Sequence, residues 1–279
     1  MTRPKTTLDG VESTAYLVNE SRARRPHLSR DPLARWWIPP AKRAEVQELW
    51  EGFASAVTPH DDVVVALRCR SVCEMLTRVS VRHSDAVLVS VGAGFTSYPW
   101  LSAVAASLEV DLPANVAVKS RRRAQLLAQG VLSSVDSTLH GLDITESGSA
   151  EELYELSLRI AKERPVVVLI EGLLYYLDER ICRSLFDLIH RLGDQVVAAA
   201  VTYWPSGTEQ HPVLQRQRSW FAGIGLGADS THLSTKWVLD ALGPGATVED
   251  PMEQQRRAGC DPVLPEDVLI PEHFATRGP

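Results

Sequence analysis

Two glycines and one aspartate stand at the ends of two neighbouring apolar runs. Gly92 and Gly94 close a run that begins at Ala86. Because glycine has no Cβ, the backbone at these positions can approach a ligand closely. The next run begins at Leu108 and reaches Asp111, whose carboxylate has two oxygens that can accept both hydroxyls of a ribose. Together these residues predict a pocket for a nucleoside.

The spacing after the two glycines distinguishes between kinds of nucleoside. A dinucleotide fingerprint, Gly-x-Gly-x-x-Gly, needs a third glycine three residues on. Here that position is Ser97, and Pro99 follows, so no tight helix start is aimed at a pyrophosphate. The loop therefore favours an adenosine ligand without phosphate, of which S-adenosylmethionine is the common one. An ordinary strand-to-helix turn with glycines is the alternative, since short glycine motifs often arise by chance.

Further motifs follow in a fixed order along the chain. They are Ser13-Thr14-Ala15, Leu67-Arg68-Cys69-Arg70, Asp111-Leu112-Pro113 with Lys119, Gly141-Leu142-Asp143-Ile144 and Glu171-Gly172-Leu173-Leu174-Tyr175-Tyr176-Leu177. With the Gly-Ala-Gly loop, this set resembles the leucine carboxyl methyltransferase family and its bacterial relatives, the polyketide O-methyltransferases. The resemblance covers about residues 12–202. It implies an α/β fold, the Rossmann-like class I methyltransferase sheet with helices on both faces, and S-adenosylmethionine as cofactor.

The resemblance also implies roles for single residues. The glycine loop would line the methionine and ribose parts of the cofactor, and Asp111 would take the ribose hydroxyls. Asp143 would accept from the adenine amino group while Ile144 stacks on the ring. Arg68 would hold the cofactor carboxylate, with Arg70 as the rival, and Glu171 would face the ammonium group. The full set of expected cofactor-binding residues is Arg68, Gly92, Ala93, Gly94, Asp111, Leu112, Asp143, Ile144 and Glu171.

The chain departs from the family pattern near the acceptor end of this site. Bacterial members usually carry Arg-Thr-Arg where this chain has Arg68-Cys69-Arg70, and an Asp where it has Cys73. After Gly94 they tend to carry Leu-Asp-Thr-Arg, whereas this chain has Phe95-Thr96-Ser97-Tyr98. A charged pair is thus missing beside the site, which puts the identity of the acceptor in question more than the reaction.

No strand end offers a histidine with an acidic orienting partner, so the catalytic residues stay unknown at this stage. Tyr203, His211 and Tyr175 are weak candidates for a general base. A carboxylate acceptor is already ionised at neutral pH and needs no base, whereas an alcohol or phenol does. The absence mildly favours a carboxylate, which would need a local cation such as Arg216 or Arg218. No metal site is expected, because Cys69 and Cys73 lack a second pair of ligands.

Periodicity predicts the arrangement of elements. Residues 1–80 read as an N-terminal helical cap, and residues 81–279 as the cofactor-binding core with a helical insertion around 203–245, the whole forming one compact unit. Strands alternate with helices, which favours a parallel sheet covered on both faces. The expected strands are Ala86–Val91, Leu108–Asp111, Val131–Val135 (or a few residues later), Val166–Ile170 and Gln195–Thr202.

The composition of the chain limits the kinds of binding partner and the compartment that we expect for it. The net charge of -6 gives no basic face for nucleic acid. No apolar run approaches the roughly 20 residues that cross a bilayer, and the N-terminus lacks the apolar stretch of a signal peptide. The four cysteines read as free thiols of a cytoplasmic protein. The expected partner is a small-molecule or peptide methyl acceptor; the oligomeric state, monomer or dimer, stays open.

The favoured function is S-adenosylmethionine-dependent O-methylation of a carboxylate or hydroxyl on a small molecule or peptide, in secondary metabolism. One alternative is methylation of a protein C-terminal carboxylate. Another is a regulatory protein that binds S-adenosylmethionine without catalysis, which the altered loop after Gly94 keeps open. A nicotinamide-dependent oxidoreductase is disfavoured by the missing third glycine and by Asp143 on the adenine side.

Overall fold

The computed structural model describes residues 10–224 and 230–278, with the backbone alone for residues 10–12. The predicted cap and insertion therefore each include a stretch, residues 1–9 and 225–229, that lies outside the described residues. The α-helices are α1 Gly10–Arg24, α2 Pro26–Ser29, α3 Ala34–Trp37, α4 Arg43–Ala56, α5 Asp61–Arg82, α6 Tyr98–Leu101, α7 Pro113–Ala128, α8 Ser149–Ala161, α9 Glu179–Leu192, α10 Pro212–Gly223, α11 Thr235–Leu242 and α12 Pro251–Ala258. The strands are β1 Val87–Val91, β2 Ala106–Asp111, β3 Ser137–Gly141, β4 Val166–Ile170, β5 Val196–Pro205, β6 His232–Leu233, β7 Thr247–Glu249 and β8 His273–Arg277.

One mixed sheet organises the chain, in the order β3-β2-β1-β4-β5-β8-β7. The first five strands run parallel, and β8 pairs antiparallel with both β5 and β7. Every residue of β1 and β4 is buried, as expected for strands covered on both faces. The strand order reverses between β1 and β4, and the crevice beyond the carboxyl ends at such a point is where open α/β sheets bind ligands. The predicted Rossmann-like α/β architecture is confirmed.

All five predicted strands occur to within a few residues of the predicted place. The third is the least exact: it lies at the later of the two predicted positions, since residues 131–135 form no strand and β3 begins at Ser137. The reason is its position, because β3 is the edge of the sheet and all five of its residues are only half buried. A polar Ser-Thr-Leu-His-Gly segment gives no apolar run, while Leu132 is buried in a different cluster, with residues of the cap.

Helices α1 to α5 occupy the region predicted as a helical cap. Its buried aromatic side chains, among them Tyr16, Trp37, Trp50 and Phe53, form a cluster with residues of α7 and α10. Helix α5 lies with its Cys69, Met75 and Leu76 side on the sheet. In the region where a helical insertion around 203–245 is expected, the described residues form α10 and α11. No helix in the described part of the chain has both the length and the apolar surface to cross a membrane.

Ser97, the residue in place of a third glycine, joins the glycine loop to the cap. Its hydroxyl donates to Asp31 Oδ2 at 2.9 Å and accepts from Trp37 Nε1 at 2.9 Å, and all three side chains are buried. Burial raises the pKa of the Asp31 carboxyl, although Arg22 and the Ser97 hydrogen bond act against the rise. The Ser97 hydroxyl thus satisfies a buried carboxyl and a buried indole at once.

Ser97→Ala should destabilise the protein by about 1–3 kcal/mol, because it leaves the indole N–H and one Asp31 oxygen buried without this partner. Urea unfolding followed by tryptophan fluorescence measures the loss. Ser219→Ala is the matched control, since among the described residues that exposed hydroxyl bonds only to the Gln215 carbonyl of its own helix. We expect this substitution to change the free energy of unfolding by no more than about 0.5 kcal/mol. Equal stability of the two variants would contradict the role given to Ser97.

Candidate active site

One cavity of about 420 Å³ opens beyond the carboxyl ends of β1, β2 and β4. All nine residues that sequence reasoning assigned to the cofactor line it, and helix α1 covers it from the cap side. Those nine are Arg68, Gly92, Ala93, Gly94, Asp111, Leu112, Asp143, Ile144 and Glu171. The fold therefore brings together in space residues that are spread over about a hundred positions of the sequence.

The glycine loop takes a conformation that side chains disfavour. Gly92 has φ +70° and Gly94 has φ +45°, in the left-handed region. A Cβ on Gly92 would also stand 2.9 Å from Leu173 Cδ2. The amides of Gly92 and Ala93 donate to the Val110 carbonyl at 2.9 and 3.0 Å, which fixes the loop beside the end of β2.

Three donors orient the Asp111 carboxylate at the end of β2. Oδ2 accepts from the Gly94 amide at 2.6 Å, and Oδ1 accepts from the Leu112 amide at 2.8 Å and from Asn115 Nδ2 at 2.7 Å. A carboxylate has about four acceptor positions, so capacity for a further hydroxyl donor remains. Asp111 is half buried and faces the cavity, as a ribose ligand requires.

The adenine end of the expected site is built by the turn after β3. Asp143 Oδ1 accepts from the Thr145 amide at 2.9 Å and from its hydroxyl at 2.7 Å. This turn holds the carboxylate in one orientation, and Ile144 lies next to it in the wall of the cavity. An amino group and a flat apolar ring are the two features that such a pair of side chains can bind.

A buried ionic cluster closes the opposite end. Arg68 Nε donates to Glu171 at 2.9 Å, and its Nη1 donates to both oxygens of Glu272 at 3.0 and 2.8 Å. Glu171 also accepts from the Tyr98 hydroxyl. Burial works to raise the pKa of Glu171, but Arg68, Arg22 and the Tyr98 hydrogen bond hold it below its ordinary value. Glu171 is therefore an ionised carboxylate in the cavity wall.

Arg22 and Asn19 of α1 also line the cavity, and sequence reasoning missed both. Arg22 is 2% exposed and Asn19 is 1% exposed. Within residues 10–224 and 230–278, Arg22 Nε and Nη1 and Asn19 Oδ1 have no hydrogen-bond partner. Buried polar groups are normally paired. These donors and this acceptor fit the carboxylate and ammonium groups of an amino-acid ligand, while the guanidinium of Arg22 also forms ion pairs, from Nη1 to Asp31 at 3.8 Å and from Nη2 to Glu171 at 3.6 Å.

The three weak catalytic candidates lie apart from this cavity. Tyr203 is fully buried, and its hydroxyl donates to Thr235 at 3.0 Å. His211 caps α10, where its Nδ1 accepts from the Val213 amide. Tyr175 lies in a smaller neighbouring cavity, stacked on Trp204 with ring centroids 4.3 Å apart. Burial raises its pKa well above the usual range for tyrosine. Its hydroxyl therefore stays protonated at neutral pH and is not available as a base.

Fold and site together define a class I S-adenosylmethionine-dependent methyltransferase. The sequence profile of leucine carboxyl methyltransferase matches residues 11–190, so the chain belongs to the leucine carboxyl methyltransferase family. S-adenosylmethionine is the cofactor of that family. The cavity is lined by the glycine loop, by the carboxylates of Asp111, Asp143 and Glu171, and by Arg22 and Asn19 of α1.

Solved structures support the fold. A protein of Thermobifida fusca named as a methyltransferase is 13% identical, with a TM-score of 0.55 over 83% of this chain and 86% of the other. A DUF574 family protein of Streptomyces avermitilis is 15% identical, with a TM-score of 0.54 over 84% and 90%. Among curated proteins no relative matches.

Arg68→Lys should be more harmful than Arg70→Lys, because one ammonium group cannot reach Glu171 and Glu272 as the guanidinium does. We expect Arg68→Lys to lower the free energy of unfolding by roughly 1.5–3 kcal/mol and to weaken S-adenosylmethionine binding. Urea unfolding and calorimetry measure the two effects.

Arg70→Lys is the matched control, since Arg70 lies two residues away on the same helix. Its Nε pairs with Glu74 at 2.9 Å on the side facing the Ala258 carbonyl. We expect its effect to stay below about 1 kcal/mol, as is usual for partly exposed ion pairs. The opposite ranking of the two variants would show that the wrong arginine has been placed at the cavity.

Proposed function

We propose that this protein is an O-methyltransferase that transfers the S-adenosylmethionine methyl group to a hydroxyl or carboxylate of a small molecule or peptide. The observation that carries the proposal is one cavity lined by Asp111, Asp143, Glu171 and the glycine loop, into whose wall α1 brings Arg22 and Asn19, each with buried polar atoms that no hydrogen bond among the described residues satisfies. A role in secondary metabolism is part of the proposal; its support is the likeness to the polyketide O-methyltransferases.

Each part of the cofactor has a proposed partner. Asp111 accepts from the ribose hydroxyls, and Asp143 accepts from the adenine amino group with Ile144 against the ring. Arg22 and Arg68 face the carboxylate; Arg68 already bonds to Glu171 and Glu272 through Nε and Nη1, whereas Nε and Nη1 of Arg22 have no hydrogen-bond partner among the described residues. When bound, S-adenosylmethionine supplies a methyl group on a positively charged sulfur. The protein aligns the acceptor with it, and such positioning alone can contribute several kcal/mol.

Asp111→Ala should weaken S-adenosylmethionine binding by about 1.5–3 kcal/mol, which is the loss of charge-assisted hydrogen bonds. Titration calorimetry measures the affinity, and NAD is the comparison ligand. We expect NAD to bind far more weakly than S-adenosylmethionine to the unchanged protein. Asp111→Asn, which keeps the shape of the side chain and loses its charge, should also weaken binding.

Asp187→Asn provides the control, because Asp187 is an exposed carboxylate on α9. Its affinity should match that of the unchanged protein. Unchanged affinity in Asp111→Ala would remove the central assignment of the proposal. Tight binding with no methyl transfer to any of a panel of hydroxyl and carboxylate acceptors, peptides with a free C-terminus included, would favour the alternative of a non-catalytic S-adenosylmethionine-binding protein.

A further inference from the structure

A second, smaller cavity adjoins the first beneath α1. Its volume is about 30 Å³, which is room for about two water molecules, so it takes one functional group and not a whole metabolite. Thr14, Val18, Arg68 and Tyr176 line both cavities. Tyr176 is 45% exposed, so it lines both cavities and also reaches the solvent.

Aromatic rings form much of the wall of this second cavity, and two polar atoms in that wall are unused. The rings belong to Phe53, Tyr175, Tyr176, Trp204 and Phe221. Within the described ranges, the Trp204 indole N–H and Gln217 Oε1 have no hydrogen-bond partner, although both side chains are buried. One donor and one acceptor suit a hydroxyl group, which both accepts and donates a hydrogen bond, and the ring of Tyr176, which lines both cavities, offers an apolar surface for an aromatic body outside the small cavity.

The charges of the second cavity disfavour an anion. Its charged lining residues are Asp61, Glu272 and Arg68, that is, two carboxylates and one cation. The cation is already bonded to both oxygens of Glu272 and to Glu171. The two arginines that sequence reasoning offered to an acidic acceptor lie elsewhere: Arg216 Nε donates to the Val57 carbonyl, and Arg218 Nη2 donates to the Glu209 carbonyl.

Asp61 is held with one oxygen engaged. The Ser21 hydroxyl donates to its Oδ2 and in turn accepts from Trp50 Nε1 at 2.9 Å. The hydrogen bond from Ser21 uses Oδ2, and Asp61 lines the second cavity, so we assign Oδ1 as the acceptor for a ligand there. Tyr175, the neighbouring candidate, has a pKa raised well above its ordinary value by burial. Because its hydroxyl keeps its proton at neutral pH, it cannot accept the proton of the acceptor as the Asp61 carboxylate can.

We propose that the second cavity receives the hydroxyl group of an uncharged, phenol-like acceptor and that Asp61 accepts its proton during methyl transfer. The acceptor oxygen forms a bond to the methyl carbon, the carbon–sulfur bond breaks with its electron pair left on sulfur, and the hydroxyl proton passes to Asp61 Oδ1. The products are a neutral ether, a thioether and a protonated carboxyl. This inference rests on the proposed function and narrows its acceptor from carboxylate or hydroxyl to hydroxyl.

The surroundings of Asp61 suit that role. Burial raises the pKa of its carboxyl to about 6, against the lowering by the Ser21 hydrogen bond and by Arg68, while Glu272 and Asp62 add to the rise. The Asp61 carboxylate also interacts electrostatically with the hydroxyl of Tyr176 and helps to raise the pKa of that tyrosine. A base whose pKa lies just below neutral pH is ionised there and still takes up a proton more readily than an ordinary carboxylate.

Binding of a matched pair of probes tests the selection. Fluorine NMR measures the affinity of 4-fluorophenol and 4-fluorobenzoate in the presence of S-adenosylhomocysteine. We expect the phenol to bind at least ten times more tightly than the benzoate. Trp204→Phe, which removes the indole N–H, should weaken phenol binding several-fold. Equal or tighter binding of the benzoate, or no saturable binding of the phenol, would overturn the inference.

Asp61→Asn removes one negative charge and keeps the side-chain shape, so it should bring the two affinities to within about threefold of each other. Asp62→Asn is the control: Asp62 is next in sequence but pairs with Arg25 at 2.8 Å, and the preference for phenol should persist. Affinity for S-adenosylhomocysteine within twofold shows that each variant is folded. Failure of the unchanged protein to bind S-adenosylhomocysteine would instead remove the proposed function, and this inference with it.

Conversion of 4-fluorophenol to 4-fluoroanisole in a single turnover tests the proton acceptor. The rate of the unchanged protein should fall below about pH 6, where Asp61 becomes protonated, and stay level above it. Asp61→Asn should be at least 100-fold slower near pH 7, with a rate that rises tenfold per pH unit as phenolate forms. A parallel pH profile for both proteins, or binding of the phenol without conversion, would contradict the role of Asp61.

Discussion

The pairing of one buried arginine with two buried carboxylates holds the active site together. Arg68 comes from a cap helix, Glu171 follows the central strand β4, and Glu272 immediately precedes β8. Three charges of this kind are stable out of water only when each is paired and hydrogen-bonded. The cap, the core and the closing strand must therefore all be in place at once, and both cavities share the resulting wall.

A second connection between cap and core accounts for the difference between this glycine loop and a dinucleotide-binding loop. Where a third glycine would let a helix approach a pyrophosphate, Ser97 uses its hydroxyl to join Asp31 and Trp37 of the cap. Only the four-residue helix α6 follows. The loop therefore has no long helix whose N-terminus could bind a phosphate, and it is hydrogen-bonded to the cap instead. This arrangement suits a cofactor without phosphate.

The central strands, and the set of residues that line the first cavity, were predictable because their patterns are local. β1 and β4 are continuous apolar runs, and Gly92, Asp111, Asp143 and Glu171 each follow a strand end. β3 was located only to within a few residues because an edge strand needs no apolar run. Arg22, Asp61 and Glu272 were missed because they carry no local signal: a single arginine, aspartate or glutamate in a helix or loop looks like a surface residue. The packing of α1, α5 and the segment before β8 against one another buries them in the cavity walls.

Arg68 and Glu272 are 204 positions apart in the chain. Closing a loop of that length costs conformational entropy before the contact can stabilise anything, so contacts of this kind form late in folding. Interactions that are absent from the folding transition state mainly slow unfolding. We therefore expect the ionic cluster to have little effect on the rate of folding and to slow unfolding. Slower unfolding lengthens the lifetime of the folded protein and of the cavities built around the cluster.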